Sequence, residues 1–542
     1  MKLNIKIYSF FLLAVFLLNG CRNPAYDIDV LFDADVIQYK TTIILKDANG
    51  ATLPNLNVSV TGADAASIYD FSGTKQIFAP SGVITLGVTP KAVPTAGKTL
   101  SFNVIVKGAG YEDKNIPVTI SVDQFSQILN VTMLKVAVPT PVTTVVTKDV
   151  PLAADGKTTV ASTIETPASS TVPQTTTINV AAGTQMRDAA GKVLTGSSLT
   201  VRAINYDAND PASIDMFPGG SLSAPDVVGA DGTTGSAFFI PAGFANIQMF
   251  IDGVEVKTFS TPINISIQVD PTFRPQATNQ PIKAGDKLSV YSYDVATGKF
   301  NFETIGTAAL DSKGKLAVNF PMSHLTIFVV GDVINTEACV EPTFTFVAPW
   351  LNDGTQSMNL EILSADGTKS YGKRTIVVSN GLVAKISGLP ALATQYRITD
   401  NTGKLLAEGA LANSCAGTNV TITIGAPTGV PVQNISLILN VNCPGKGLII
   451  VPNFDLFYKP AGAPNGEYKL LGTTENGILK TTALTIGNSY DFRATWKNET
   501  KVVGKRKITD LDMSTVVGEN DFLGTKSPNY NKSLLIEACK GL

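Results

Sequence analysis

Ile263-Asn264-Ile265-Ser266-Ile267-Gln268-Val269 decides the fold class. Apolar and polar residues alternate, which is the period of a strand with one buried face. Other runs rich in Val, Ile and Thr recur along the chain, and turn signals separate them. Asp47-Ala48-Asn49-Gly50, Asn352-Asp353-Gly354, Ala365-Asp366-Gly367 and Asn401-Thr402-Gly403 are four such signals. Helical periodicity is hard to find beyond the first 20 residues. Strands bounded by turns about every 8–12 residues predict an all-β protein of tandem β-sandwiches.

Composition narrows the function. The 542 residues carry a formal net charge of −2, and only 16% are Asp, Glu, Lys or Arg. No basic footprint for nucleic acid is present. No P-loop, dinucleotide fingerprint or GxSxG elbow stands in a strand–helix setting. Paired carboxylates for glycoside hydrolysis are not marked by any motif, because the fold sets their spacing. The length suggests about four domains, each large enough for its own core.

The amino terminus has a separate role. Lys2 and Lys6 precede an apolar run from Ile7 to Leu18, followed by Asn19-Gly20-Cys21. A basic start, a short apolar core and a small residue before the cut make a secretory signal over residues 1–20. The run is too short to span a bilayer, which needs roughly 20 apolar residues. With Cys21 directly after Gly20, the stretch resembles the lipobox of bacterial lipoproteins. That resemblance implies a diacylglycerol on the Cys21 thiol, cleavage before it, and acylation of the new amino terminus. The alternative is an ordinary secreted protein with a chance cysteine. Arg22 is not the aspartate with which that family marks inner-membrane retention, so the resemblance points to the outer membrane. Residues 21–36 form a tether with Asp27, Asp29, Asp33 and Asp35. No glycine turn or closing glutamate follows, as a calcium loop would need, so a solvated acidic leader is expected.

With Cys21 reserved for lipid, Cys339, Cys415, Cys443 and Cys539 remain. An exported chain meets an oxidising compartment, and an even remainder suggests two disulfides. Three connectivities are possible. Cys339–Cys415 and Cys443–Cys539 are favoured, because each pair brackets one domain-sized segment. A zinc site is the rival, but no CxxC pair exists and His324, the single histidine, lies in the preceding segment. No metal or other cofactor is expected.

Four domains are laid out in order. Residues 37–137 contain Ile43-Ile44-Leu45-Lys46-Asp47-Ala48-Asn49-Gly50, Ser81-Gly82-Val83-Ile84-Thr85-Leu86 and Gly108-Ala109-Gly110-Tyr111. They resemble the regulatory-like domain of carboxypeptidases, a transthyretin-like sandwich, which implies a non-catalytic spacer or contact module. Residues 138–177 are rich in Thr, Val, Pro and Ser and are expected as a linker, with strands in part. Residues 178–333 include Asp188-Ala189-Ala190-Gly191-Lys192, Phe217-Pro218-Gly219-Gly220 and Ser323-His324-Leu325-Thr326-Ile327-Phe328. Their order resembles a ZU5-type β domain running into a UPA- or GAIN-like region. Residues 334–426 and 427–542 place Leu389 before Tyr396 and Leu484 before Tyr490. This spacing resembles the tyrosine corner of immunoglobulin-like and fibronectin type III sandwiches.

Two chemistries remain to be weighed. His324-Leu325-Thr326 matches the tripeptide at which GAIN domains cut themselves. The resemblance makes His324 the base and Thr326 the nucleophile of a cut after Leu325. The competing reading puts Leu325, Ile327 and Val329 on the inner face of a closing strand, with His324 making a structural hydrogen bond. Trp350, Trp496 and Tyr458 are candidates for a sugar-stacking platform, or else for core. The sequence as a whole predicts a non-catalytic envelope protein. Its lipid on Cys21 would hold it in the membrane, and its sandwiches would take a glycan or protein ligand.

Overall fold

The computed structural model describes residues 30–33, 38–71, 73–427, 432–443, 448–451, 454–496 and 498–517. Strands dominate throughout. The α-helix Pro211–Ile214 is a single turn, capped by Asp210, whose carboxylate accepts the Ala212 N–H at 2.8 Å. The all-β fold class read from the alternating runs is what the chain adopts.

Turn chemistry repeats through the molecule. At Asp47, Asp188, Asp311 and Asp400 the carboxylate accepts backbone N–H groups two and four residues on. The third residue after each aspartate is glycine, at φ between 73° and 90° where Gly50, Gly191, Gly314 and Gly403 stand. A side chain there would be strained, and the aspartate satisfies the amides that the reversal exposes.

The first sandwich sets one sheet against another. Its larger sheet runs Ile68–Asp70, Val83–Val88, Lys40–Asp47, Ser126–Met133, and its smaller one Asn57–Thr61, Leu100–Lys107, Lys114–Ile120. Leu100, Phe102, Val104 and Val106 alternate with half-buried residues and fill the space between them.

The second body is built on thirteen strands among the described residues. Thr234–Ile251 is its longest, and it pairs with Ser198–Tyr206 on one side and Ile327–Asn335 on the other. The strand Lys299–Leu310 joins the two halves of the sheet. Its first part pairs with Lys287–Asp294 and its last three residues with Leu316–His324. Thr258–Gln268 contains the diagnostic run. Ile263, Ile265 and Ile267 are buried and Asn264 is exposed. Gln268 departs from the alternation. It is buried at the strand end, where it accepts from the Thr175 N–H and donates to Asp311.

Residues 138–177 are corrected from a linker to part of this body. Thr143–Pro151 pairs with Ser198–Tyr206 over nine residues, and Ser162–Glu165 pairs with Thr176–Val180. The β-branched residues that enrich this stretch supply ladder positions, and Val150, Ile164 and Val172 are fully buried. Part of the expected tether is also strand, since Val30–Asp33 pairs in parallel with Leu448–Val451.

The two C-terminal segments share a sheet instead of standing apart. Thr355–Ser364 pairs with Ser370–Ser379 and Thr394–Thr399, and Thr355 pairs with Thr481 of the following segment. Cys339 and Cys415 form a disulfide across a sequence separation of 76. Closing a loop of that size is worth about 4–5 kcal/mol on the chain-entropy model. Cys443 is also disulfide-bonded. Cys539, its expected partner, lies outside the described residues.

Buried polar contacts join the bodies. Glu112 of the first accepts from Tyr206 of the second through both carboxylate oxygens at 2.8 Å, and also from Asn246. Lys114 lies 3.6 Å from Glu112 and donates to the Met216 carbonyl at 3.0 Å. Lys369 reaches from the third segment to the Pro241 carbonyl at 2.8 Å. Asn130 meets Thr375 at 3.0 Å, and the Thr42 hydroxyl bonds the buried Asp455 of the fourth.

Asp215, just after the helical turn, lies among Lys46 of the first body and Lys373 and Glu361 of the third. Burial pushes its carboxyl up to about 6, against the pull of both lysines. An unfolded aspartate titrates near 3.9, so between about pH 4 and pH 6 the folded chain holds the extra proton. Stability from this group therefore falls as pH rises through that window. Asp215→Asn should gain on the wild type across it, by on the order of 2–3 kcal/mol in paired thermal melts. A difference that stays flat from pH 4 to pH 6 would contradict this.

Candidate functional site at the His324 seam

The sequence-marked chemistry lies where the two halves of the thirteen-stranded sheet part. Leu316–His324 pairs with Thr258–Gln268, and Thr326 then leads into Ile327–Asn335 in the other half. Leu325, Ile327 and Val329 are buried, as a closing strand requires.

A bulge brings a carboxylate into this seam. Val290 pairs with Thr304 and Tyr291 with Phe302, so Glu303 is the extra residue. Bulges re-aim side chains. Glu303 Oε1 accepts from the Ser292 hydroxyl at 2.6 Å and lies 3.0 Å from His324 Nε2. Half-burial pushes the Glu303 carboxyl up, but the bonds from His324 and Ser292 outweigh it and hold it below the ordinary glutamate range.

Thr326 is occupied elsewhere. Its hydroxyl donates to the Tyr293 carbonyl, and its own carbonyl accepts the Ile247 N–H at 3.2 Å. No hydrogen bond joins His324 to Thr326. The structure gives the expected base and nucleophile separate partners, Glu303 for His324 and the Tyr293 carbonyl for the Thr326 hydroxyl. Glu303 was missed in the sequence, since a bulge position carries no signature of its own.

Other sequence-marked residues are placed as follows. Tyr490 fits the tyrosine-corner pattern, its hydroxyl accepting the Thr485 N–H at 3.1 Å. Tyr396 packs in the core of the third segment. Trp350 and Tyr458 pack against the cores of the third and fourth segments, and Trp350 donates to the Ile424 carbonyl at 2.9 Å, so neither forms an open platform. The Trp496 side chain, Cys21 and Cys539 lie outside the described residues. A cavity of about 160 Å³ beside Tyr291 is lined by Thr233, Ser236, Asn335 and Glu337. Three of these bond within the protein: Thr233 to Asp231, Ser236 to Thr336, and Asn335 to the Glu337 N–H. No group of three or more His, Cys, Asp or Glu suited to a metal ion occurs among the described residues. No helix among them is long and apolar enough to cross a membrane.

No family model matches the sequence, and no curated protein matches it. Three solved structures have partial likeness. The Bacillus anthracis TIE protein is 12% identical with a TM-score of 0.12, over 69% of this chain and 57% of that one. A streptococcal ancillary pilin is 10% identical with a TM-score of 0.14, over 44% and 93%. BcpA, the major pilin subunit of Bacillus cereus, is 11% identical with a TM-score of 0.13, over 72% and 99%. The chain thus spans little more than half of the first. Identities and TM-scores this low carry no argument about function, and the class, an all-β chain of successive sandwiches, rests on its own strands.

Glu303→Gln tests the seam. A carboxylate whose folded pKa is depressed stabilises above the unfolded value, near 4.3, and loses that contribution as pH falls through the folded value. The variant should be less stable than wild type at pH 7 by about 1–3 kcal/mol, with the gap closing below about pH 4. Melts over pH 3–7 measure it, and a gap independent of pH would refute the assignment.

Proposed function

We propose that the chain is a lipid-anchored envelope protein that presents β-sandwich modules for binding or adhesion and does no catalysis of its own. Cys21 would carry the lipid and hold the protein in the outer membrane. The ligand would be a glycan or a protein. The observation that carries this reading is the set of buried polar joints. A protein that presents a surface needs its modules held at fixed angles. Glu112 with Tyr206 and Asn246, and Lys369 with the Pro241 carbonyl, supply that constraint. The lipobox-like residues Leu18-Asn19-Gly20-Cys21 add the anchor. Several acyl chains hold a protein durably where one binds only marginally.

Cys21→Ser is the direct test. The wild type should fractionate with membranes and take up a fatty-acid label, and the variant should be soluble and unlabelled. Equal membrane recovery of both, with no label on either, would contradict the anchor. Denaturing gels of the same samples report whether the chain stays whole. A doublet lost in Thr326→Ala would establish self-cleavage in place of a purely binding role.

A further inference from the structure

One face of the second body is half covered. On the outer side of the strands Thr143–Pro151, Ser198–Tyr206 and Thr234–Ile251, the end at Tyr206 and Asn246 is buried under Glu112 of the first sandwich. The other end is open. Thr147 and Asp149 are exposed there, and Thr200, Arg202, Gln248 and Phe250 are half-buried. Register places Thr147, Arg202 and Gln248 side by side across three strands, with Asp149, Thr200 and Phe250 in the next row.

Arg202 stands at the border between covered and open. Its guanidinium lies over the Phe250 ring, 5.0 Å from the centroid. Its Nε is shielded from solvent and has no acceptor. Among the described residues no hydrogen bond or ion pair engages the rest of the fork, although Glu112 favours its charge from a distance. The Glu112 oxygens are already taken by Tyr206, Asn246 and Lys114. Burial pulls the guanidinium pKa down, yet an arginine does not give up its proton. The result is a cation held over an aromatic ring, partly stripped of water, with its donors unspent. A planar fork in that state fits a carboxylate in bidentate fashion.

We propose that this open face binds a carboxylate-bearing sugar of the uronic-acid kind, with Arg202 taking the carboxylate. The neighbours suit the rest of such a ligand. Gln248 and Thr147 offer neutral donors and acceptors on either side of the fork. Thr200 donates to Asp149 Oδ1 at 2.6 Å, which leaves Asp149 Oδ2 to accept a sugar hydroxyl. Phe250, half-buried beside them, adds an apolar edge. Neighbouring strands lie roughly 4.8 Å apart, which sets these side chains side by side within reach of one sugar ring. Charge limits the class further. Asp149 and Glu255, which pairs with Phe250 in register and bonds Lys257 at 2.7 Å, oppose a densely charged polymer. Arg202 alone takes one carboxylate, and Asp149 and Glu255 in the next row disfavour a second one close by. The inference deepens the reading as a binding protein and rests on it.

The test uses the full-length protein and titration calorimetry with a uronic-acid oligosaccharide, its carboxyl-reduced neutral counterpart, and an acidic peptide. Wild type should bind the uronic oligosaccharide, and reduction of its carboxyls should weaken binding at least tenfold. Arg202→Gln should weaken it at least tenfold, and Arg202→Lys less. Gln248→Glu is the variant that keeps the test sound if Arg202 replacements fold poorly. It puts an internal carboxylate directly opposite Arg202, so the melting temperature should rise while uronate binding is lost. Two outcomes overturn the proposal. One is no binding of the uronic oligosaccharide by wild type at millimolar concentration. The other is binding of any probe, the acidic peptide included, that Arg202→Gln and Gln248→Glu leave unchanged. The second result would refute this site while leaving the binding function standing.

Discussion

Glu112 and Lys114 are taken out of water at the joint between two sheets, each with only 4% of its surface exposed. Removing a charge from water costs several kcal/mol before anything compensates it. The compensation comes almost wholly from the second body. The Tyr206 hydroxyl and the Asn246 amide donate hydrogen bonds to the Glu112 carboxylate, and the Met216 carbonyl accepts one from Lys114. Burial lowers the Lys114 pKa and raises that of Tyr206 well above its usual value. Neither body satisfies these groups alone. Apolar packing around them, with Tyr206 stacked on Phe244 at 4.6 Å, supplies attraction without direction. The buried pair supplies the direction, because any slide of one sheet past the other strips both charges of their hydrogen bonds to Tyr206, Asn246 and the Met216 carbonyl.

The remaining joints repeat this logic with fewer charges. Lys369 meets the Pro241 carbonyl beside the bulge in the long strand, and burial pulls its ammonium down to about 8 although Asp270, Asp207 and Asp332 lie around it. Asp455 is fully enclosed between Thr42 and Thr473. Thr355 and Gln356 tie the third segment to Lys480 and Thr482 of the fourth. Modules locked in this way keep a fixed surface, and the open end of the outer face, with Arg202 at its border, is one product of that locking. The first sandwich covers the sheet at Tyr206 and Asn246 and leaves Thr147 and Asp149 exposed.

Much of this architecture was legible in the chain. The alternation at Ile263–Val269 and the aspartate–glycine turns announce strands and reversals, because both depend on neighbours in sequence. The Cys339–Cys415 bridge followed from bracketing, and the Tyr490 corner from its spacing to Leu484. Residues 138–177 misled because Thr, Pro and Ser content suits a linker and an edge strand alike, and only the long-range ladder with Ser198–Tyr206 separates the two. Glu112, Lys114 and Tyr206 carry no local signature of a buried joint. Their partners lie about a hundred positions away, which no local pattern encodes. Glu303 was hidden for a similar reason, since a bulge depends on the register of two strands and not on the residue itself. Trp350 and Tyr458 drew attention by type, although an aromatic in a sandwich more often serves the core.

The central claim is that the buried Glu112 joint makes the first and second bodies one cooperative unit. Differential scanning calorimetry of the full-length protein, wild type against Glu112→Ala, addresses it most directly. Removing Glu112 leaves Lys114 without its counter-charge and Tyr206 and Asn246 without their acceptor, a loss of about 3–5 kcal/mol. The account predicts that the two bodies melt together in the wild type, and that the variant splits this transition, with the first sandwich melting earlier. Two separate transitions already present in the wild type, or a variant trace that overlays it, would contradict the account.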